Sequence, residues 1–213
     1  MIGRRPFSRI LWGSLLALGI LALAGVPRPA AADEFSDGAK KFIEVLTEEA
    51  ISTLTGKDLS PDERADRFRK LMLKNFALKG IAKFVLGRHW RTLAGPEKKE
   101  YLQLFEDLMV ATYADRFEKY SGEKLLVKNA EVRGEKDVLV HTSMVRIDGS
   151  ARPLKVAWRV RGKVGNYKVV DIMVEGISMV MTQKSEFSSF IRQNDGGVSA
   201  LMSELKKRLQ AHT

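Results

Sequence analysis

Three residues of the sequence have the types that a hydrolytic centre requires: Ser143, His141 and Asp171. A serine, a histidine and an aspartate in hydrogen-bond contact can make the serine hydroxyl a nucleophile. His141 and Ser143, however, lie two positions apart in an alternating apolar and polar stretch, and such neighbours on a strand are roughly 7 Å apart. The same alternation predicts that their face is exposed to water. The spacing therefore argues against a catalytic triad.

Candidate ligands for a metal or cofactor are equally sparse. The sequence contains no cysteine and three histidines, His89, His141 and His212, which do not share the spacing of a helical metal site. It also has no G-x-S-x-G elbow, no phosphate-binding G-x-x-x-x-G-K and no G-x-G-x-x-G. We therefore expect neither an enzyme nor a metal or cofactor site.

The first 32 residues have the composition of a cleaved secretory signal. Arg4, Arg5 and Arg9 precede an apolar run over residues 10–26, and alanines at 30–32 supply a signal-peptidase site. A membrane anchor is the alternative, but a run of 17 residues is at the short limit for a span. Residues 33–213 then form one exported domain, and both the general secretory and the twin-arginine routes fit the leader.

The charge balance is basic but scattered. The formal net charge is +10, and it falls to +6 when the four arginines of residues 1–32 are removed. A nucleic-acid-binding protein more often has a contiguous basic stripe with interleaved aromatic residues, so we expect no nucleic-acid ligand. The cluster at 206–208 is interpreted as a solvated helix end, with docking on an acidic partner as the alternative.

Periodicity predicts a helical first half. Apolar residues recur every three or four positions from Phe35 to Leu54, which indicates one buried helix face. Ser60, Pro61 and Glu63 have the pattern of a capped helix start. Further helices are predicted to end at Gly87, to run from Gly95 to about Gly122, from about Ser178 to Arg192, and from Val198 to Gln210.

The period then changes to two, which predicts strands at 138–145, 154–160 and 170–174, with 124–133 as a fourth. If the links are hairpins, paired position numbers sum to about 300 and 328. Both sums are even, so even-numbered side chains should share one apolar face that the helices cover. On the reverse face, Asp171 is expected to pair with Arg159.

Several segments resemble one known family. The motif D-x-x-x-E-G-x-S runs from Asp171 to Ser178, residues 82–90 read AKFVLGRHW, and a glycine pair at 196–197 precedes Leu201. Together with residues 105–122, these segments resemble the MlaC/toluene-tolerance family over nearly all of residues 35–210. The sequence departs from the family pattern at Lys184, where an arginine is expected near the phenylalanine.

The resemblance implies a soluble periplasmic carrier that shuttles glycerophospholipid between the outer and inner membranes and so maintains outer-membrane lipid asymmetry. The implied fold is α+β, with helices packed on one face of a curved, about four-stranded antiparallel sheet that encloses an apolar lipid cavity. The implied partners are an inner-membrane ABC transporter complex with its membrane-anchored lipid-binding subunit and an outer-membrane lipoprotein complex. We expect a monomer with phospholipid as cargo and no other cofactor.

Burial of two acyl tails supplies a gross free energy of well over ~10 kcal/mol at about 0.8 kcal/mol per methylene, so an apolar lining alone could retain a lipid. The even-numbered sheet face and the inner helix faces suggest which side chains line the tails. These candidates are Phe84, Trp90, Phe105, Met109, Tyr113, Met144, Val156, Trp158, Val170, Ile172, Val174, Ile177 and Val180.

Other functions stay open at this point. The same apolar walls would accept a rigid ring system, so a hopanoid or sterol is an alternative cargo. A basic interaction module with a solid core and no ligand is a second alternative. A lipid-active enzyme is disfavoured because the sequence offers no nucleophile or metal set.

Overall fold

The computed structural model describes residues 30–146, 148–195 and 197–211. The proposed leader up to residue 29 lies outside the described residues, and the first helix begins at Ala30. No helix within the described ranges is long and apolar enough to cross a membrane. The helices are α1 (Ala30–Leu54), α2 (Pro61–Asn75), α3 (Leu78–Leu86), α4 (Gly95–Tyr113), α5 (Met179–Gln193) and α6 (Gly197–Gln210). The strands are β1 (Lys124–Val132), β2 (Asp137–Val145), β3 (Leu154–Lys163), β4 (Asn166–Val174) and β5 (Ile177–Ser178).

The predicted helix starts are confirmed by their capping contacts. The Ser60 hydroxyl accepts a hydrogen bond from the Glu63 backbone N–H at 3.2 Å, and the Ser60 N–H donates to the Glu63 carboxylate at 3.3 Å. This reciprocal pair satisfies two amides that have no partner within the helix. At α4, the Ala94 N–H donates to Glu97 Oε2 at 2.7 Å. Helix α4 is shorter than predicted, because the chain tightens into a 3-10 turn at Ala114–Phe117.

The five strands pair antiparallel in chain order, which confirms the α+β prediction. Paired position numbers sum to 298 between β2 and β3, as in Val140 with Trp158. They sum to 330 in the first part of the β3–β4 pairing, as in Trp158 with Ile172. Both sums are even, so the even-numbered residues of these segments share a face, called here the inner face.

One inner-face prediction was wrong, at Val170. Val169 pairs with Val160 whereas Asp171 pairs with Arg159, so Val170 is the extra residue of a β-bulge in β4. A bulge places two residues opposite one and reverses the alternation beyond it. Val169 therefore takes the inner-face position that the sequence analysis gave to Val170, and its side chain is fully buried.

Helix α1 packs against the inner face and forms the first of two cores, the sheet cluster. Its buried members include Ile43 and Leu54 of α1, Val138 of β2, Val160 of β3 and Val169 of β4. Close approach of helix and sheet depends on Gly38 because a Cβ at this position would overlap the hydroxyl of Tyr167. That hydroxyl donates to the carbonyl oxygen of Phe35 at 3.2 Å.

The second core, the helical cluster, lies among α2 to α6 and includes Tyr101, Phe105 and Leu205. The two clusters meet at Phe68 and Phe76, which pack against both. Backbone contacts also join them, because the N–H of Ala77 donates to the carbonyl oxygen of Val169 at 2.9 Å. The chain between α2 and α3 is thereby fixed to the sheet.

Candidate functional site

The inner face of the sheet is apolar apart from Thr142, but helices cover only part of it. Val138, Val160 and Val169 lie side by side at one end and are 0% exposed. At the other end, Met144 pairs with Leu154, and these two side chains are 38% and 37% exposed. The inner face thus continues beyond its helical cover and presents apolar side chains that are accessible from outside.

Five of the proposed lining residues lie together on this face. Val156 is buried, Trp158, Ile172 and Val174 are half-buried, and Met144 is exposed. Trp158 lies across from Ile172, and Val156 lies across from Val174. The even-face argument therefore located one connected set of candidates.

A hydrogen-bond chain holds Trp158 within this set. Its indole N–H donates to the Thr142 hydroxyl at 3.1 Å, and that hydroxyl donates to the carbonyl oxygen of Val156 at 2.8 Å. Thr142 is buried on the same face. Because both polar groups are satisfied by neighbours, the indole ring keeps its orientation without placing an unpaired polar atom on the apolar surface.

Three of the proposed lining residues on helices belong to the helical cluster or pack against it. Phe105 is buried inside the helical cluster, where its ring centroid lies 6.1 Å from that of Tyr101 and 6.3 Å from that of Phe187. Met109 and Val180 are half-buried against the same cluster. These contacts are those of ordinary core residues.

Four further candidates lie apart from the connected set. The ring of Trp90 lies 6.3 Å from that of Tyr101 and carries the ammonium groups of Lys83 and Lys98 within 6 Å of its centroid. The ring of Tyr113 lies beneath the guanidinium of Arg116. Phe84 and Ile177 are among the exposed large apolar side chains.

Two surface clefts of the described chain have volumes of about 370 and 220 Å³. The first lies between the end of α3 and α5, and the second between α3 and α4. Neither is lined by a sheet residue, so neither corresponds to the cavity that the family resemblance implied. The accessible end of the inner face is an exposed apolar surface outside both clefts.

His141 and Asp171, two of the three residues considered for a hydrolytic centre, contact other side chains. His141 Nε2 lies 3.2 Å from Oε1 of Glu131, and the Asp171 carboxylate is engaged at the start of α5. Within the described ranges no cluster of three or more His, Asp or Glu side chains could hold a metal ion. His212 lies outside the described residues.

The predicted ion pair between Asp171 and Arg159 was wrong, although the two residues lie across from each other in the β3–β4 register. Arg159 Nη2 lies 2.6 Å from Asp137 Oδ2, and Arg161 Nε lies 2.6 Å from Asp137 Oδ1. The hydrogen bonds from Arg161, and to a smaller extent those from Arg159, lower the pKa of Asp137 to about 2, although burial opposes the change. The register places Asp137 directly across from Arg161, which sequence alternation alone did not reveal.

The D-x-x-x-E-G-x-S motif connects the sheet to α5. Asp171 accepts hydrogen bonds from the Ser178 hydroxyl at 2.6 Å and from the Val180 N–H at 3.2 Å, while the Ser178 hydroxyl accepts from the Met181 N–H. Glu175, at a φ of 49°, accepts from the Lys155 N–H at 2.7 Å. The motif thus fixes the turn and the start of α5.

Comparisons with known proteins agree with this fold. The chain is 22% identical over 125 residues to the intermembrane phospholipid transport system binding protein MlaC of Haemophilus influenzae. The match covers 58% of each chain, so the chain spans somewhat more than half the length of that relative. A phospholipid-binding protein from Ralstonia solanacearum, solved in complex with a phospholipid, has a TM-score of 0.72 and 20% identity. That likeness, which covers 82% of this chain and 98% of the other, is one of fold.

The family model described as MlaC protein matches residues 44–207, which include α2 to α5, the whole sheet, the C-terminal part of α1 and most of α6. The match includes most residues of both hydrophobic clusters and the turn that the D-x-x-x-E-G-x-S motif forms. The chain therefore belongs to the MlaC family.

Proposed function

We propose that this protein is a periplasmic carrier of phospholipid, and that the acyl tails of the bound lipid lie on the accessible end of the inner face. The observation that carries the proposal is the contrast between the two ends of one largely apolar face, where Val160 is 0% exposed at one end and Leu154 is 37% exposed at the other. An apolar surface of this kind is costly to leave in water and favours an apolar ligand. The family relatives, one named for phospholipid transport and one solved with a phospholipid, support the choice of ligand.

Retention of a lipid requires no catalytic group. Each buried methylene contributes about 0.8 kcal/mol, so partial burial of two tails is enough for a tight complex. The polar groups nearest to the tails, Thr142 and the Trp158 indole, are already paired with each other. We therefore assign the protein binding and release of lipid and no reaction.

The carrier would exchange its cargo with membrane complexes on both sides of the periplasm. We include in the proposal an inner-membrane ABC transporter complex with a membrane-anchored lipid-binding subunit and an outer-membrane lipoprotein complex. Net transfer then requires that a partner lowers the affinity for the tails or binds the lipid more tightly, because at equilibrium the lipid accumulates in the state of higher affinity.

Lipid occupancy of surface variants tests the site. Met144→Glu together with Leu154→Glu places two carboxylates on the accessible end of the inner face, where the wild-type residues are already partly exposed and folding should survive. The matched control is Leu126→Glu with Val164→Glu, because these apolar residues are comparably exposed and Leu126 lies opposite Ser143 on the reverse face.

We expect native mass spectrometry to find bound phospholipid in the wild type and in the control, and to find most of it lost from the M144E/L154E variant. Circular dichroism verifies that both variants are folded. Equal occupancy in all three proteins would contradict the proposed position of the tails.

A further inference from the structure

A basic cleft lies between the end of α3 and α5, and none of the residues that line it belongs to the sheet. Its volume is about 370 Å³, and it is lined by Arg88, His89, Lys184, Ser188 and Arg192 around the backbone of Gly87. Three of these side chains carry a positive charge, and no carboxylate is among the residues that line the cleft. A concave surface with one sign of charge concentrates ligands of the opposite sign.

The cations of this cleft are not used elsewhere in the described part of the chain. Arg88, Lys184 and Arg192 form no ion pair with any described carboxylate, whereas Arg69, Arg159 and other basic side chains do. Even the C-terminal basic cluster is partly neutralised, because Lys206 pairs with Glu100 and Arg208 with Glu204. The cleft is thus a local concentration of uncompensated positive charge.

Local packing holds Lys184 at the cleft. Its ammonium group lies 4.2 Å from the ring centroid of Phe84, and its Cε would lie 3.6 Å from a Cβ at Gly87. Gly87 has a φ of 62°, a conformation that favours glycine, and it ends α3. The turn therefore brings Arg88 next to Lys184 of the neighbouring helix without a side chain between them.

Exposed apolar side chains border the same cations. Phe84 is 48% exposed, and Met181, three positions before Lys184 on α5, is 49% exposed. Residues three apart on a helix lie on one face. Cations beside exposed apolar groups match the surface of an anionic bilayer, where phosphate groups lie next to hydrocarbon, better than they match a free ion in water.

We propose that this cleft binds a phosphate group, and that the phosphate belongs to a lipid in a membrane surface on which the protein docks. Guanidinium groups suit this role because their N–H groups match two phosphate oxygens at once. Phe84 and Met181 would enter the interface between headgroups and tails. This docking site is separate from the tail site, so it goes beyond the carrier function proposed above.

Vesicle sedimentation tests the proposal with two charge-neutralising variants. Arg88→Gln with Arg192→Gln removes two cations of the cleft. Lys128→Gln with Lys163→Gln removes two exposed cations of the sheet and changes the net charge by the same amount. Each protein is mixed with phosphatidylglycerol vesicles or phosphatidylcholine vesicles at low ionic strength. Protein in the pellet reports docking, and lipid in the supernatant reports extraction of cargo.

We expect the wild type to sediment with phosphatidylglycerol vesicles far more than with phosphatidylcholine vesicles. R88Q/R192Q should bind at least about tenfold more weakly, since each cation contributes about fivefold at an anionic surface, while K128Q/K163Q should change binding less than about twofold. The amount of lipid bound as cargo should be the same in the wild type and both variants. A failure of the docking proposal is therefore distinguishable from a failure of the carrier function.

Equal weakening by both variants would overturn the proposal, because binding would then depend on net charge and not on the cleft. Absence of vesicle binding by the wild type would overturn it as well. A titration with inorganic phosphate, followed through the Gly87 amide resonance, separates the two sources of phosphate. Saturable binding of free phosphate that R88Q/R192Q abolishes, without vesicle docking, would assign the cleft to a free anion and contradict the membrane role.

Discussion

The carboxylate of Asp171 accepts a hydrogen bond from the hydroxyl of Ser178 at 2.6 Å, across the turn that leads from β4 to α5. The same carboxylate accepts from the Val180 N–H, and the Ser178 hydroxyl accepts from the Met181 N–H. Two N-terminal amides of α5 are therefore satisfied by two side chains that also bind each other.

Replacement of Asp171 by alanine should destabilise the protein by about 1 kcal/mol, the usual cost of a lost helix cap. Asp171→Asn retains an acceptor and should cost less. Urea denaturation of D171A, S178A and the double variant should yield a coupling energy of about 0.5–1 kcal/mol, because the two side chains are in direct contact. Additive effects would contradict the cooperative cap.

The Asp137 ion-pair network predicts a pH-dependent stability. At pH 7 the carboxylate is ionised between two half-exposed arginines, and Asp137→Asn should cost about 1–2 kcal/mol after allowance for solvent screening. The pKa of Asp137 is lowered from 3.8 to about 2, so its contribution is complete above about pH 5 and is lost as the pH falls through 2.

Urea denaturation of D137N and the wild type between pH 7 and pH 2 measures this difference. Asp58→Asn is the matched control, since Asp58 is exposed and forms no ion pair within the described ranges. A difference between D137N and wild type that stays constant down to pH 2 would exclude the ion pairs as its cause.

Replacement of Gly38 by alanine should be an exception to the usual gain in stability when a helical glycine becomes alanine. Alanine in place of a helical glycine normally stabilises by about 0.5–1 kcal/mol, and Gly80→Ala in α3 should do so because its Cβ would meet only the Ala77 Cβ at 4.0 Å. At Gly38 the new Cβ would overlap the Tyr167 hydroxyl, so Gly38→Ala should destabilise by about 1–3 kcal/mol.

Tyr167→Phe removes the overlapping oxygen. The G38A/Y167F double variant should therefore be more stable than the sum of the two single changes, as measured by thermal unfolding. Stabilisation by G38A alone would show that α1 lies farther from the sheet than described.

The hydrogen bond to Thr142 should determine the orientation of the Trp158 indole. Thr142→Val keeps the shape of the side chain but leaves the indole N–H without its partner, which should cost about 1–3 kcal/mol. Thr142→Ser keeps the hydroxyl and should preserve the fluorescence of Trp158, whereas T142V should shift it. Identical emission from both variants would contradict an anchored indole.

The sequence predicted the elements that depend on local patterns. The helix face from Phe35 to Leu54, the capping box at Ser60 and the shared face of Val140, Trp158 and Ile172 follow from spacing within or between adjacent segments. These features need only the periods of helices and strands and the geometry of hairpins.

Features that depend on long-range pairing escaped prediction. At the bulge at Val170, the pairing of β3 with β4 changes from one register to another. The sequence has two adjacent valines here and does not indicate which of them faces inward. Arg159 lies across from Asp171 in the β3–β4 register, yet its guanidinium binds Asp137 of the other neighbouring strand. Spacing along the sequence does not indicate which of the two aspartates it binds. The assignment of Phe105 to the helical cluster likewise depends on how α4, α5 and α6 pack. The basic cleft depends on the juxtaposition of α3 and α5, which the sequence does not reveal. Only the adjacent basic residues Arg88 and His89 after Gly87 could have indicated it.

Native mass spectrometry of the protein, purified without detergent, tests the carrier function most directly. We predict a stoichiometric mass increment that lipid extraction identifies as phospholipid, because the accessible end of the inner face, with Met144 and Leu154 exposed, favours an apolar ligand. A bare protein mass under native conditions, or an increment that resolves as a ring-containing lipid, would contradict the proposed phospholipid cargo.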